Sequence, residues 1–139
     1  MLDSSTDLKS MLSDPSLLQT RAFINNQWVD AENGATFDVK NPARGDVIAQ
    51  VADLSRTDLA RAISGAEIAQ KKWAAISAKE RSNILRAWYN LMMDNQADLA
   101  KILTAEMGKP LAEAMGEIAY GASFVEFFAE EAKRNYGET

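Results

Sequence analysis

Glu106–Phe124 reads EMGKPLAEAMGEIAYGASF, and this stretch decides the architecture. Gly108 ends one helical pattern as a left-handed C-terminal cap, and Pro110 opens the next at its first position. The spacing predicts a last helix from about Pro110 to Asn135, with Gly137 beyond its end. At 1.5 Å per residue that helix is roughly 40 Å long, which is long for so small a chain. It keeps Gly116 and Gly121 in its interior, each at a cost of about 1 kcal/mol against alanine.

Set out at helical spacing, the last helix has two apolar sides. One carries Leu111, Ala114 or Met115, Ile118, Ala122, Val125, Ala129 and Ala132. The other carries Tyr120, Phe124 and Phe127, about a quarter-turn or more away. A surface helix needs only one such stripe, so the second points to contact with something beyond the preceding helices. Gly116 lies one turn before Tyr120 and leaves space beside that ring. Two readings of that space stay open, close helix–helix packing and the wall of a passage. The Gly116–Ser123 run, GEIAYGAS, has phosphate-loop glycine spacing but Ala122 where a lysine is needed. It also lies inside a helix, whose amides are already used, so it is no nucleotide site. Glu113 with Glu117, and Glu126 with Glu130, are expected to form a solvated charged face rather than an acid–base pair.

Upstream, the period changes twice. Residues 1–20 read as a loosely ordered lead-in, with Asp14-Pro15 able to cap a single helical turn. In AFINNQWVD, Asn25-Asn26 is a two-residue hairpin turn between short apolar strands. In ATFDVKNPARGDVIAQVA, the NPARG turn joins a second pair, so residues 22–52 are expected to form short antiparallel strands. From Ser55 the period is helical. Leu59, Ile63, Ala66, Ala69 and Trp73 share one face behind a Ser55/Asp58 capping box. Ser77 and Glu80 form a second box, followed by a buried stripe of Ile84, Leu85, Trp88, Leu91 and Met92. Asn95 with Asp98 opens a third helix, whose inward residues are Leu99, Ile102, Leu103 and Met107. The fold class is therefore α+β and mainly helical: short antiparallel N-terminal strands, then four helices, the last one long. Strands and helices are segregated, so a self-contained doubly wound sheet is not expected.

Composition narrows the function. The chain has 139 residues, 47% hydrophobic and 25% charged, as in an ordinary globular domain. Its net charge of −5 supplies no basic field for nucleic acid or an anionic membrane. No apolar run approaches the roughly 20 residues of a membrane span, and the N-terminus lacks a secretory layout. A cytoplasmic location is expected. Cysteine and histidine are both absent, which removes thiol nucleophiles, histidine bases and Cys/His zinc sites from this chain.

Three stretches together resemble the N-terminal region of NAD(P)-dependent aldehyde dehydrogenases. They are AFINNQWVDAENGATFDVKNPARGDVIAQVA, AAISAKERSNILRAWYNLMMDNQADLAKILTAEMGKPLAEAMGEI and FFAEEAKRNYGET. The NPARG, Trp73, EMGKPLAEAMGEI and YGET segments fall in family order at family spacing over about residues 15–139. LSDPSLLQTRAFINNQWV is most similar to the succinate-semialdehyde dehydrogenase branch. The resemblance implies that residues 21–139 are the incomplete N-terminal part of a cofactor-binding domain, in a chain several times longer. Such enzymes oxidise an aldehyde through a cysteine thiohemiacetal, hydride transfer to NAD or NADP, and thioester hydrolysis. No catalytic or cofactor-binding residue of that machinery has a counterpart here, so the chain alone is expected to be inactive and to bind no NAD(P) tightly.

The resemblance implies two sites. Tyr120 corresponds to a channel-facing position at the aldehyde entrance, with Gly116 one turn earlier; Phe124 and Phe127 either extend that wall or pack under neighbouring segments of the whole enzyme. Glu106, with backbone carbonyl oxygen from the Val39–Lys40 region, corresponds to part of a structural monovalent-cation site, whose oxygen donors suit a hard cation. The plain alternative for Glu106 is a helix-end carboxylate bonded to a neighbouring loop. The expected partners are the remainder of the parent enzyme, the aldehyde, and further copies of the chain through its apolar patches. The rival reading is a stand-alone helical interaction module derived from such an enzyme.

Overall fold

The computed structural model describes residues 4–134 and 136–137, and every structural statement below concerns those residues. Asn135, the expected end of the last helix, and the Glu138-Thr139 end of the YGET segment lie outside them. The element order is α1 (Ser4–Met11), a 3-10 turn (Pro15–Leu17), β1 (Ala22–Ile24), β2 (Gln27–Val29), β3 (Thr36–Lys40) and β4 (Val47–Ala52). Four longer helices follow, α2 (Arg56–Ala75), α3 (Ala78–Asp94), α4 (Gln96–Met107) and α5 (Leu111–Glu131).

Local chemistry explains these boundaries. Asn25 and Asn26 both adopt positive φ, 53° and 63°, so β1 and β2 pair antiparallel through a turn of the type that follows strand twist. The β3–β4 pair runs from Thr36↔Ala52 to Val39↔Ala49, then shifts register at Val39/Lys40 in a bulge before the turn. Asn41 orders that turn: its side chain accepts from the Ala43 N–H at 2.9 Å, and its carbonyl accepts from Gly45 N–H at 2.7 Å. Both serine capping boxes are present, Ser55 with Asp58 and Ser77 with Glu80. Gly108 caps α4 at φ 78°, its N–H bonded to the Thr104 carbonyl. Pro110 sits one position outside α5 rather than at its first residue.

The lead-in differs from the expectation. It carries an additional helix, α1, and Leu8, Leu12 and Leu18 join Ile48 in the most buried apolar cluster. Val39, Ile102 and Ala105 pack against this cluster, so the N-terminal segment ties the second hairpin to α4. A helix of eight residues is marginal on its own, and burial of Leu8 and Leu12, one turn apart, supplies the stabilisation that propensity does not. Asp98 completes the attachment. Asn95 does not cap α4 with its side chain, which instead donates to the Leu91 carbonyl, and Asp98 turns toward Asp14.

Helix α5 packs on both α3 and α4. Ala114, Ala122 and Ala129 are fully buried, and their spacing of eight and seven puts them on one face. Small side chains there let the helices approach closely. Arg86 of α3 bonds both Glu126 and Glu130 of α5, so that acidic pair is an interhelical clamp rather than a free solvated face.

The expected burial of the α2 and α3 stripes is corrected by the structure. Leu59 and Ile63 of α2, and Ile84, Trp88 and Leu91 of α3, are all more than half exposed. Met107 and Leu111, expected inward on α4 and α5, are also exposed. Periodicity reports that a helix is amphipathic; it does not report what covers the apolar face.

Candidate substrate-channel wall

The second apolar side of α5 forms a continuous row. Gly116, Tyr120 and Phe124 follow at four-residue steps, and Phe127 and Phe128 continue one turn further. From Gly116 to Phe128 the row is about 18 Å long at 1.5 Å per residue. Tyr120 and Phe124 meet edge to face with centroids 4.9 Å apart, and Phe127 and Phe128 do the same at 5.3 Å. All four rings are exposed, Tyr120 most of all at 64%. Phe128 belongs to the row although the sequence reading assigned it to neither side. Its position four residues after Phe124 is the signal that could have found it.

The glycines are not packing devices within the described residues. A Cβ placed on Gly116 or Gly121 would meet nothing within 4 Å. The helix–helix contacts are made by the alanine face instead. Gly116 and Tyr120 line a shallow depression with Lys109, Glu113 and Glu117, and the Lys109 ammonium is paired with Glu117 at its edge.

Glu106 stands apart from that row, at the end of α4. No hydrogen bond or ion pair to it is found among the described residues, and desolvation raises its carboxyl above the ordinary carboxylate range although the residue is exposed overall. The structure brings its helix end to the NPARG turn: a Cβ on Gly108 would lie 2.9 Å from Pro42 Cγ. Val39 of β3 and Ile102 and Ala105 of the same helix pack against one buried cluster. Among the described residues no group of three or more acidic side chains gathers to hold a metal ion. A site here would consist of one carboxylate and backbone carbonyls, a hard-oxygen set of low charge.

The sole strand-to-helix junction among the described residues runs from β4 into α2. A capping box closes its start: Asp58 N–H donates to Ser55 Oγ, and the Asp58 carboxylate accepts from Ser55 N–H at 3.0 Å. A buried carboxylate at a helix N-terminus repels a phosphate, so this junction does not fit a dinucleotide pyrophosphate.

A model of the aldehyde dehydrogenase family matches residues 28–139, and the chain belongs to that family. It is 55% identical over 128 residues to a glutarate-semialdehyde dehydrogenase of Pseudomonas putida, covering 92% of this chain and 27% of that one. It is 52% identical to the NADP-dependent succinate-semialdehyde dehydrogenase of Escherichia coli, covering 92% and 27%. A crystal structure of an aldehyde dehydrogenase from Brucella melitensis superposes with a TM-score of 0.91 at 52% identity, covering 93% of this chain and 27% of that one. The chain thus spans about a quarter of the length of the relatives it matches.

Proposed function

We propose that this chain forms the front of a longer NAD(P)-dependent dehydrogenase that oxidises succinate semialdehyde, or a close homologue of it, to the corresponding diacid. The observation that carries the reading is the exposed row Gly116–Tyr120–Phe124–Phe127, on a helix whose opposite face is already packed. Such a row is suited to line the route of an aldehyde's carbon chain, with the space beside Tyr120 left by Gly116. The substrates named for these relatives, glutarate semialdehyde, succinate semialdehyde and 3-sulfolactaldehyde, each join an aldehyde to one acidic group, which supports the substrate class. The row is apolar, so it would contact the carbon chain and leave the acidic end to other residues.

The cofactor would be held elsewhere in the parent protein, because the β4–α2 junction is closed by Asp58. The 139-residue piece by itself is inactive in this reading and self-associates through its apolar faces. Glu106 with carbonyls of the Val39–Lys40 region would contribute to a monovalent-cation site; the support is the carboxylate without an ion-pair partner beside the NPARG turn. A cytoplasmic enzyme with no nucleic-acid or membrane partner agrees with the net charge of −5, and among the described residues no helix is long and apolar enough to cross a membrane.

The test is substrate preference. The full-length polypeptide is assayed with succinate semialdehyde, glutarate semialdehyde and an uncharged aldehyde of equal length. Preference for the acidic aldehydes supports the reading, and preference for the uncharged one removes the substrate assignment.

A further inference from the structure

Lys109 stands in the link between α4 and α5, one position before Pro110, which flanks the start of α5. The positive end of the helix dipole lies there, so an ammonium works against the helix and an acidic side chain would serve it better. The Lys109 side chain is nonetheless only 18% exposed. Its ion-pair partner is Glu117, eight residues on, rather than Glu113, four residues on. Glu113 is exposed and has no ion-pair partner among the described residues. These three side chains edge a depression of about 330 Å³, whose remaining lining is Gly116 and Tyr120, the first two members of the aromatic row. Two carboxylates and one ammonium therefore stand where the row begins.

We infer that Lys109 is a specificity-determining residue that keeps the mouth of the proposed passage open to anionic aldehydes, an inference that rests on the substrate reading above. An aldehyde that carries a carboxylate or sulfonate is repelled by each glutamate it passes. One uncancelled unit charge at such a mouth changes the local concentration of an anion by roughly three- to tenfold. Lys109 cancels one of the two glutamates, and no other residue lining the depression is cationic. An uncharged aldehyde feels none of these charges, so the pair sets a preference between substrates. A purely structural pair behaves differently. If Lys109 and Glu117 merely brace the α4–α5 corner, loss of either partner breaks the same contact and acts in the same direction. A charge role gives the two partners opposite signs.

The experiment measures KM for succinate semialdehyde and for an uncharged aldehyde of equal length on the full-length enzyme, and reads the ratio of the first to the second. Lys109→Gln should raise the ratio roughly three- to tenfold. Glu117→Gln should lower it, and the double variant should return it to within about twofold of the wild-type value. Lys109→Arg keeps the charge and should keep the ratio. Salt at about 1 M, where the screening length is about 3 Å, should shrink both shifts. Ratios that move in the same direction in the two single variants, that stay fixed, or that move as far in high salt overturn the inference and leave the substrate reading intact. Where Lys109→Gln yields no soluble enzyme, Glu117→Gln decides: a lowered ratio supports the charge role, and an unchanged or raised one overturns it. A wild-type enzyme that prefers the uncharged aldehyde overturns the substrate reading and this inference together.

Discussion

Asp98 on α4 accepts a hydrogen bond at 2.8 Å from the backbone N–H of Asp14, 84 residues earlier in the chain. Lys101, one turn on, donates to both Asp98 Oδ1 at 2.9 Å and the Met11 carbonyl at 2.7 Å. The N-terminal segment is thus pinned by one carboxylate and one ammonium, above a cluster centred on Ile48. Asp98→Asn keeps the size but removes the charge that strengthens both bonds. Limited proteolysis should then cut residues 4–18 faster than in the parent chain; an unchanged cleavage pattern would mean that Leu8, Leu12 and Leu18 hold the segment unaided.

Ile48 is 1% exposed and touches both the lead-in and the hairpin, so it is the residue on which that cluster depends. Ile48→Ala should cost about 3 kcal/mol, the middle of the range for large-to-small core changes. Denaturant unfolding would show this as a shifted midpoint with an unchanged slope.

Gly65 is the point where the first hairpin meets α2, since a Cβ there would fall 1.9 Å from Asn25 Oδ1. Gly65→Ala alone sets about 1 kcal/mol of helix propensity against about 1–3 kcal/mol of overpacking. Asn25→Gly removes the obstructing side chain and still suits the positive φ of 53°. Gly65→Ala should therefore be more favourable by about 1 kcal/mol or more in the Asn25→Gly background than in the wild-type chain. Equal effects in the two backgrounds would show that the hairpin tip does not rest on Gly65.

Acid should destabilise the fold. Backbone and hydroxyl hydrogen bonds from Ser55 hold Asp58 below the usual carboxylate range, as those from Ser77 do for Glu80. The Asp14 N–H, helped by Lys101, does the same for Asp98. A depressed pKa contributes stability that is present above the unfolded value, about 4, and is lost as the pH falls through the folded value. Glu106 acts in the opposite sense, because desolvation raises its pKa and neutralisation relieves the fold. Asp46, bonded to Arg44, and Glu130, bonded to Lys133 and Arg86, are held low as well. Five lowered carboxylates oppose one raised, so thermal midpoints measured from neutral pH downward should fall below about pH 4. Glu106→Gln should raise the neutral-pH midpoint of residues 1–139, and a fall would show that its ionised form is bonded.

In the full-length enzyme, Tyr120→Ala should raise the aldehyde KM by roughly tenfold, the equivalent of about 1.4 kcal/mol of lost aromatic contact. The cofactor KM should hardly change. An unchanged aldehyde profile would remove Tyr120 from the channel wall.

The elements with short-range causes were legible in the sequence. Both serine capping boxes, the Asn25-Asn26 turn and the Gly108 cap are each specified within a few residues. Interactions with long-range causes were not. Helix α1 depends on Ile48 and α4, Asp98 had a cap's spacing but a partner 84 residues away, and Gly65 matters only because the hairpin folds back onto it. Helical periodicity also could not distinguish a covered stripe from the open one of Ile84, Trp88 and Leu91. At the candidate site, the four-residue spacing placed Gly116, Tyr120 and Phe124 on one edge. Their part in a passage comes from family resemblance, since spacing describes an edge but not what passes along it.

The most direct measurement is NAD(P)H formation from succinate semialdehyde by the full-length polypeptide, beside residues 1–139 at equal molarity. Turnover by the former and none by the latter is the expected result. Turnover by residues 1–139 alone, or none by a full-length protein that is folded and soluble, would contradict the account.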